Sequence, residues 1–407
     1  MNKIIRNVFI FIVILVFILG FSPSYTSLNI DNLAYVIAIG IDIGENEDFK
    51  ISFQFTTGTS STESGSSEKS PLIINSVEAS SIDSAISLMN SYMARELNLS
   101  HCRLVIFSED VAFRGISNEI YTLMNNSEMR PSANVIVSKN KAKYYMENTT
   151  PILENLITKY YEIFPNSSKY TGYVYNVDLG EFFNQLINNT CEPFAILGGV
   201  NSNSSDSSTS SNFTNVDDIK STDTSISAKR GSENIGVAVF KEDKLVGELS
   251  AEETLCLSIV RGEVESFTIS IPNPQKEEKK IDLILYPEDG KKIKVHLVNG
   301  APYITFNRKF TGKIYSMSNN SKYLDSSVLE NISAEASRYL EEIITNYLYR
   351  TSVEFKSDIN GFGKYCLSNF LTLPEFEAYG WQNNYTNASF KVSIDTDIES
   401  GFLITQT

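Results

Sequence analysis

Few residues of the chain belong to the types that carry catalysis or hold metal ions. There are two histidines, His101 and His296, and four cysteines that lie far apart without a Cys-x-x-Cys pair: Cys102, Cys191, Cys256 and Cys366. A structural zinc site needs closely spaced thiolate and imidazole ligands. His101 precedes an apolar run and is interpreted as structural, and His296 alternates with apolar neighbours, which predicts exposure on a strand. We expect no metal site.

Paired carboxylates are the next candidates, because two of them can divide acid and base roles. Glu252-Glu253 and Glu341-Glu342 are each adjacent in a predicted helix, where neighbouring side chains do not face one another. Ser250 stands three residues before Glu253, which is the spacing of a helix capping box. Asp42 ends a predicted strand before Gly44 and is expected to serve the turn.

Two further patterns indicate that the chain is not an enzyme. The sequence has no Gly-x-Ser-x-Gly element, the strained turn that carries the serine of α/β-hydrolases. Gly361-Phe362-Gly363 lacks the Lys and Ser/Thr of a phosphate-binding loop. Its glycines favour positive φ angles after a helix, with Phe362 in the core. We expect no catalytic residue and no cofactor.

The length and net charge of the chain limit the classes of protein to which it can belong. With 407 residues and 42% hydrophobic content, the chain can bury a core in two or three domains. The formal net charge is −15. Such a charge repels nucleic-acid phosphates and anionic lipid headgroups. We therefore expect no nucleic-acid partner, and membrane association through an apolar segment and not a basic patch.

The first 26 residues have the pattern of a secretory signal. Lys3 and Arg6 precede an apolar run over residues 8–21, which is followed by Ser22-Pro23-Ser24. The run is shorter than the roughly 20 residues of a full membrane span. A cleaved signal peptide and a retained signal anchor both fit. Residues 18–20 match the start of a lipobox, but Phe21 occupies the cysteine position, so lipidation there is excluded.

Two polar segments divide the rest of the chain. Residues 57–70 and 201–233 are rich in Ser, Thr, Asn and Asp, and such stretches bury too little to offset their ordering entropy. The second is interpreted as an interdomain linker. It separates an α/β-like region over residues 27–200, as one domain or two subdomains, from an α+β domain over residues 234–407.

Hydrophobic periodicity predicts the elements of the first region. A hairpin is expected over residues 33–42 and 49–56. A helix over 81–97, a strand over 102–107, a helix over 111–124 and a strand over 133–137 follow. Further helical segments are expected at 142–146, 152–164 and 179–187. This alternation favours an α/β-like sheet.

The second region is predicted to be mainly antiparallel. It starts with a hairpin over residues 235–240 and 245–249 and a helix from Ser250 to Gly262. Strands are expected at 267–271, 281–286, 291–297, 303–310, 312–317 and 388–394, with residues 287–290 as a hairpin turn. An amphipathic helix covers 328–347. The fold class is therefore α+β and multidomain, with mixed and antiparallel sheets flanked by helices.

Five segments, taken in order, resemble the Ger(x)C family of spore germination proteins. They are residues 31–42, residues 100–116, the segment from Arg130 to residue 137, residues 236–254, and residues 357–363. The positions that carry the resemblance are Gly40, Asp42, His101, Gly115, Arg130, Gly236, Gly247, Glu253, Gly361, Phe362 and Gly363.

The resemblance implies the C subunit of a nutrient-germinant receptor, a non-enzymatic scaffold or binding protein on the extracytoplasmic face of the inner spore membrane. Its implied partners are an A-type and a B-type integral-membrane subunit. Members of the family are typically lipoproteins, and Phe21 departs from that pattern. The alternative is a stand-alone extracytoplasmic small-molecule binding protein or enzyme.

Overall fold

The computed structural model describes residues 2–20, 32–56, 72–151, 153–154, 156–201, 219–222, 231–274, 276–317 and 326–399. The helices are α1 (Asn2–Gly20), α2 (Ile82–Tyr92), α3 (Glu109–Arg114), α4 (Ser117–Asn125), α5 (Ala142–Asn148), α6 (Ile157–Ile163), α7 (Ser168–Thr171), α8 (Leu179–Leu186), α9 (Ala251–Arg261), α10 (Ser326–Tyr349), α11 (Gly363–Cys366), α12 (Leu373–Tyr379) and α13 (Trp381–Tyr385). Phe21 and most of both polar segments lie outside the described residues.

The strands build two sheets, and the α+β class with mixed and antiparallel sheets is confirmed. They are β1 (Leu33–Ile43), β2 (Phe49–Thr56), β3 (Leu72–Ala79), β4 (Glu96–Asn98), β5 (Leu104–Ser108), β6 (Asn134–Ser138), β7 (Phe194–Val200), β8 (Ser232–Lys241), β9 (Lys244–Leu249), β10 (Phe267–Asn273), β11 (Lys276–Pro287), β12 (Lys292–Val298), β13 (Ala301–Met317) and β14 (Ser389–Glu399).

Within the described residues, nine strands form the first sheet in the order β3-β2-β1-β5-β6-β7-β8-β9, with β4 beside the start of β1. The central strands β1, β5, β6 and β7 run parallel, and the predicted hairpin of β1 and β2 is confirmed. β5, β6 and β7 are buried along their whole length, as expected of parallel strands covered on both faces. β3, β4 and β7 were not predicted.

Helices cover both faces of this sheet. Buried side chains of α2, α3, α4 and α8 pack on one face, and those of α5 and α6 pack on the other. The helix predicted over residues 111–124 is two helices. It breaks at Gly115, whose φ of 110° is unsuited to a helix interior.

The predicted hairpin of the second region belongs to the first sheet. β8 pairs antiparallel with β7, and β9 pairs with β8. Ser221, inside the predicted linker, is buried and joins the two strands: its hydroxyl donates to the Leu197 carbonyl at 2.9 Å and accepts the Ile235 amide at 2.7 Å. Both regions of the sequence therefore contribute strands to one sheet.

The second sheet is organised by the long strand β13. β12 pairs with residues 301–307 of β13 and β11 with residues 310–317, while β14 runs parallel along residues 303–313. Because β14 occupies one edge, β11 and β12 share the other. The predicted strands at 303–310 and 312–317 are thus one strand. The predicted hairpin at 287–290 is wrong, since β11 and β12 do not pair with each other.

Helices α9 and α10 join the two sheets. The predicted capping box of α9 is present, and Gly262 ends the helix in the left-handed conformation. α10 buries a stripe facing β14 and α9, and its buried side chains are Ile332, Ala336, Leu340, Ile344, Tyr347 and Leu348. One apolar cluster of buried residues runs from the first sheet through α9 and α10 to the second sheet.

Among the helices of the described residues, none is both long and apolar enough to cross a membrane.

Because β8 and β9 complete the first sheet, the regions on either side of the polar segment should not fold separately. We expect fragment 27–200 to aggregate when made alone, since β7 would present an open edge. Fragment 234–407 should aggregate as well, because β8 would lack β7, the strand that it pairs with. Co-expressed, they should co-purify as one complex. Size-exclusion chromatography and circular dichroism check this, and a folded, monomeric 27–200 fragment would contradict it.

Candidate functional site at the joint between the sheets

Gly40 and Asp42 hold helix α5 against the first sheet. A Cβ atom on Gly40 would lie 2.7 Å from the Met146 methyl group and 3.1 Å from the Ala142 Cβ atom, so glycine lets α5 lie close to β1. The buried Asp42 carboxylate accepts the backbone amides of Ala142 at 2.6 Å and Lys143 at 3.0 Å. Burial raises the pKa of Asp42, although these amides act against the rise. Its role is to cap α5, and the predicted role in the turn is wrong.

Gly115 marks a contact between the first helices and the β8–β9 turn. A Cβ atom there would lie 2.6 Å from an Asp243 carboxylate oxygen. Asp243 accepts the Ser117 hydroxyl at 2.8 Å, and its carbonyl accepts the Ile116 amide at 3.1 Å. The start of α4 is thus held by a residue more than 120 positions away in the sequence.

Gly247 and Glu253 meet the end of α10. A Cβ atom on Gly247 would lie 2.2 Å from the Phe355 ring, which therefore needs glycine beneath it. The Arg350 guanidinium lies 4.7 Å from the centre of the same ring and pairs with the Glu253 carboxylate. Glu253 also completes the capping box with Ser250. One carboxylate thereby fixes both the start of α9 and the end of α10.

The Gly361-Phe362-Gly363 turn wraps around a buried carboxylate. Asp358 accepts the Gly363 amide at 3.0 Å and the Trp381 indole N–H at 2.8 Å. Gly361 has φ of 72°, and Phe362 is fully buried, as predicted. A Cβ atom on Gly363 would lie 2.5 Å from the Thr190 carbonyl oxygen. Burial raises the pKa of Asp358 to about 6.

Arg261 links this turn to the first sheet. Its guanidinium donates to the Tyr175 hydroxyl at 2.8 Å, to Glu181 at 2.8 Å and to the Ile359 carbonyl at 3.0 Å. It also lies 4.9 Å from the centre of the Phe194 ring on β7. Burial opposes the charged form, yet Tyr175, Cys191 and Glu181 keep the pKa of Arg261 above its ordinary value. We call this set of contacts the Arg261 joint.

A second buried carboxylate, Glu192, closes the same joint. Its amide donates to the Asp358 carbonyl at 2.9 Å, and its side chain accepts the Glu242 amide at 2.6 Å. Burial raises the pKa of Glu192 from 4.5 to about 7, against the opposing effect of the Glu242 amide. The turn of β8 and β9 is therefore tied to the Asp358 turn through a titratable group.

The other predicted positions have their contacts elsewhere. His101 is exposed and stacks on Tyr35 with ring centres 4.4 Å apart. Arg130 is exposed, and its carbonyl accepts the Ala133 amide. Gly236 has φ of 96° and donates its amide to the Tyr173 carbonyl at 2.9 Å. His296 is exposed on β12, as predicted.

An open, charged cleft lies beside the joint. It has a volume of about 600 Å³ and is lined by Lys139, Lys220, Ser250, Glu252, Glu253, Ile343, Asn346, Tyr347 and Arg350. Lys139 and Lys220 share the Glu248 carboxylate, at 3.3 and 3.5 Å. Most of the charged groups are thus already paired within the protein.

The groups at the Arg261 joint are suited to holding segments of the protein together. The cysteine beside Arg261, Cys191, has its pKa raised to about 12 by burial, so its thiol is neutral, whereas a nucleophile requires the thiolate. Among the described residues, no group of three His, Cys, Asp or Glu side chains could hold a metal ion. The buried charges instead fix α8, α9 and the Asp358 turn to one another.

Sequence reasoning missed the polar centre of this arrangement. Arg261 stands in the last turn of a helix, where a cation is explained by the helix dipole alone. Asp358 and Glu192 sit in polar segments with the appearance of ordinary turns. The available signal was the Gly361-Phe362-Gly363 pattern, which indicates a tight turn and an adjacent group that accepts its amides.

Comparisons with known proteins agree across both regions. A family model described as "Spore germination protein N-terminal domain" matches residues 26–197, and one described as "Spore germination B3/ GerAC like, C-terminal" matches residues 235–401. The chain is 22% identical over 396 residues to "Putative spore germination protein YfkR" of Bacillus subtilis (strain 168), covering 93% of this chain and 92% of that protein.

Two further proteins are similar. "Spore germination protein KC" of the same organism is 22% identical over 195 residues, covering 46% of this chain and 48% of that protein. The solved structure titled "Crystal Structure of the GerBC protein" superposes with a TM-score of 0.50 at 16% identity, over 88% of this chain and 96% of that one. The structural likeness shows a shared fold.

Removal of the Arg261 charge should strongly destabilise the protein. Arg261→Met removes the cation that Glu181 and the Ile359 carbonyl share, while Gln185 still donates to Glu181. We expect a loss of about 3 kcal/mol in the free energy of unfolding. This is the low end for a broken buried pair, because the Glu181 side chain is 32% exposed. Chemical denaturation measures it. Arg338→Met, which removes an exposed arginine paired with Glu335 and Glu342, is the matched control and should change little.

The stability should fall as pH rises from about 5 to 8. Protonated Glu192 is favoured in the folded state, with a pKa of about 7 against an ordinary 4.5. Its contribution is complete below pH 4.5 and is lost as pH rises through 7. Asp358 acts in the same direction. Glu192→Gln keeps an acceptor for the Glu242 amide and should flatten the decline, while Glu330→Gln at an exposed position should not. An unchanged slope in Glu192→Gln would refute the role of this carboxyl group.

Proposed function

The chain belongs to the Ger(x)C family of spore germination proteins, and from that premise we propose that it is the C subunit of a spore nutrient-germinant receptor. The single observation that carries the proposal is the match of both family regions, in order, across residues 26–197 and 235–401. A protein that merely shared one module would match only one of them.

We propose that the subunit works by contact and without catalysis. The Arg261 joint and the continuous apolar core tie the two sheets into one body. In such a body, a displacement imposed on one sheet by a partner passes to the other, because close-packed interiors transmit strain. This mechanism suits a subunit that couples nutrient binding in one partner to a change in another.

The proposed partners are the A-type and B-type integral-membrane subunits, and the proposed location is the extracytoplasmic face of the inner spore membrane. The N-terminal apolar segment, α1, would bring the chain to that membrane as a cleaved signal or as an anchor. The acidic body argues against a nucleic-acid partner. The proposal includes no cofactor.

A tagged full-length chain should retrieve its partners from detergent-solubilised spore membranes. We expect an A-type and a B-type subunit in the eluate by mass spectrometry, and a lost nutrient response in spores that lack the chain. Arg338→Met should restore both properties, whereas the destabilised Arg261→Met should restore them poorly.

Recovery of the chain without integral-membrane subunits would count against the receptor role. The alternative, a stand-alone small-molecule binding protein or enzyme, would be supported if the purified chain alone bound or converted a nutrient, with the charged cleft beside the joint as the place to look.

A further inference from the structure

One end of the second sheet carries large apolar side chains that the protein leaves uncovered. Leu371 is 95% exposed and Leu373 is 59% exposed, both at the segment that leads into α12. Val298, the last residue of β12, is 55% exposed. The Tyr379 hydroxyl of α12 donates to the Gly300 carbonyl at 2.8 Å, so α12 lies beside the turn between β12 and β13. We call Val298, Leu371 and Leu373 the apolar tip.

Aromatic packing and a backbone hydrogen bond fix the segment that carries Leu371. The Phe370 ring lies 5.7 Å from the Phe376 ring and 5.2 Å from the Tyr379 ring. The Leu371 amide donates to Glu375 at 3.0 Å. Leu371 thus follows an anchored residue and is itself fixed through its backbone, while its side chain projects into solvent. A single exposed leucine is ordinary on a protein surface, but its grouping with Leu373 and Val298 is typical of a surface that contacts another apolar medium.

A cationic groove adjoins the apolar tip. It is lined by residues of β12 and of the segment around α11, has a volume of about 460 Å³, and contains the charged or titratable side chains Lys294, His296 and Lys364. Among the described residues that line it, none is Asp or Glu. Asn369, another lining residue, donates to the Val295 carbonyl at 3.0 Å and directly precedes Phe370. The groove and the tip are therefore connected through residues 369–371 of the chain.

The groove collects positive charge in a strongly acidic chain. Burial, followed by the nearby cations Arg308 and Lys364, lowers the pKa of Lys291 to about 8, while Glu263 acts in the opposite direction. Helix α12, which follows the tip, carries two carboxylates: Glu375, which accepts the Leu371 amide, and the exposed Glu377. Charges further away than about 8 Å are largely screened at physiological salt. The net charge of −15 therefore does not govern this surface.

We propose that the apolar tip and the cationic groove form a peripheral docking site for the surface of an anionic phospholipid bilayer. Leu371, Leu373 and Val298 enter the acyl boundary, and Lys294 and Lys364 face the lipid phosphates. Apolar side chains flanked by lysines are the combination that binds anionic membrane surfaces. The inference rests on the proposed membrane location and adds a second contact, independent of α1, that would fix the orientation of the body.

Tryptophan placed at the tip reports its insertion directly. In the full-length protein, Leu371→Trp should show a blue-shifted emission and quenching by brominated lipids in vesicles that contain phosphatidylglycerol. Tyr315→Trp, at a 72% exposed position near the other end of β13, is the matched control. The native Trp381 is buried and common to both proteins. Because α1 is present in every variant, quenching at the probe, and not vesicle association, is the readout.

The charge of the groove should set the strength of this insertion. We expect the double change Lys294→Glu and Lys364→Glu, made in Leu371→Trp, to reduce quenching about fivefold or more, and phosphatidylcholine vesicles to have a similar effect. Equal quenching of Leu371→Trp and Tyr315→Trp, or quenching indifferent to lipid charge, would overturn the proposal.

A protein interface at the same surface is the competing outcome. Leu371→Asp should leave the retrieval of receptor subunits from detergent unchanged, because no bilayer is present there. If Leu371→Asp abolishes that retrieval, the tip binds a protein and the lipid proposal is wrong. If retrieval fails for the unaltered chain as well, the receptor proposal fails, while the vesicle experiment still decides the docking site.

Discussion

A largely buried arginine needs its charge balanced and its N–H groups bonded, and Arg261, whose side chain is 19% exposed, meets that condition with groups from separate segments of the chain. It has three hydrogen-bond partners: Tyr175 and Glu181 from the first region of the sequence, and Ile359 from the turn after α10. Loss of a charged partner from a largely buried pair is costly. The relative placement of α8, α9 and the Asp358 turn is therefore determined by one side chain.

Other features support the same placement by steric means. Gly247 permits the Phe355 ring to lie on β9, and Gly363 permits the chain to pass beside the Thr190 carbonyl. Arg350 lies over Phe355 and pairs with Glu253, the residue that starts α9. Positions that resemble the family in sequence are thus largely positions where two segments touch, and their significance is the close approach they allow.

The sequence was sufficient where structure is decided locally. The capping box of Ser250 and Glu253 depends on residues three positions apart, and the amphipathic stripe of α10 depends on a repeat within one helix, so both were predicted correctly. The sequence was insufficient where the structure depends on pairing between segments that lie far apart in the chain. No local sequence pattern indicates that β8 pairs with β7. None indicates that β11 and β12 pair with different parts of the same edge of β13. Asp42 likewise caps a helix about 100 positions away.

The site was the least predictable part for the same physical reason. A buried ion pair is recognisable only when both partners and their burial are known, and Arg261 and Glu181 lie 80 positions apart. The glycines, by contrast, were identified by sequence: Gly361 and Gly363 as residues of a tight turn, and Gly40, Gly115, Gly236 and Gly247 through the family resemblance. The structure shows that they allow a positive φ or a close contact. The sequence identified the glycines around the Arg261 joint, and the structure identified the charged residues at its centre.

The claim that the two sheets form one body is tested most directly by native-state hydrogen exchange on the full-length chain. The account predicts that the most protected amides of β8 and β13 exchange with the same free energy of opening, because neither sheet opens without breaking the Arg261 joint. Exchange of β13 amides at a distinctly lower free energy, with β8 still protected, would show that the sheets open independently and would contradict it.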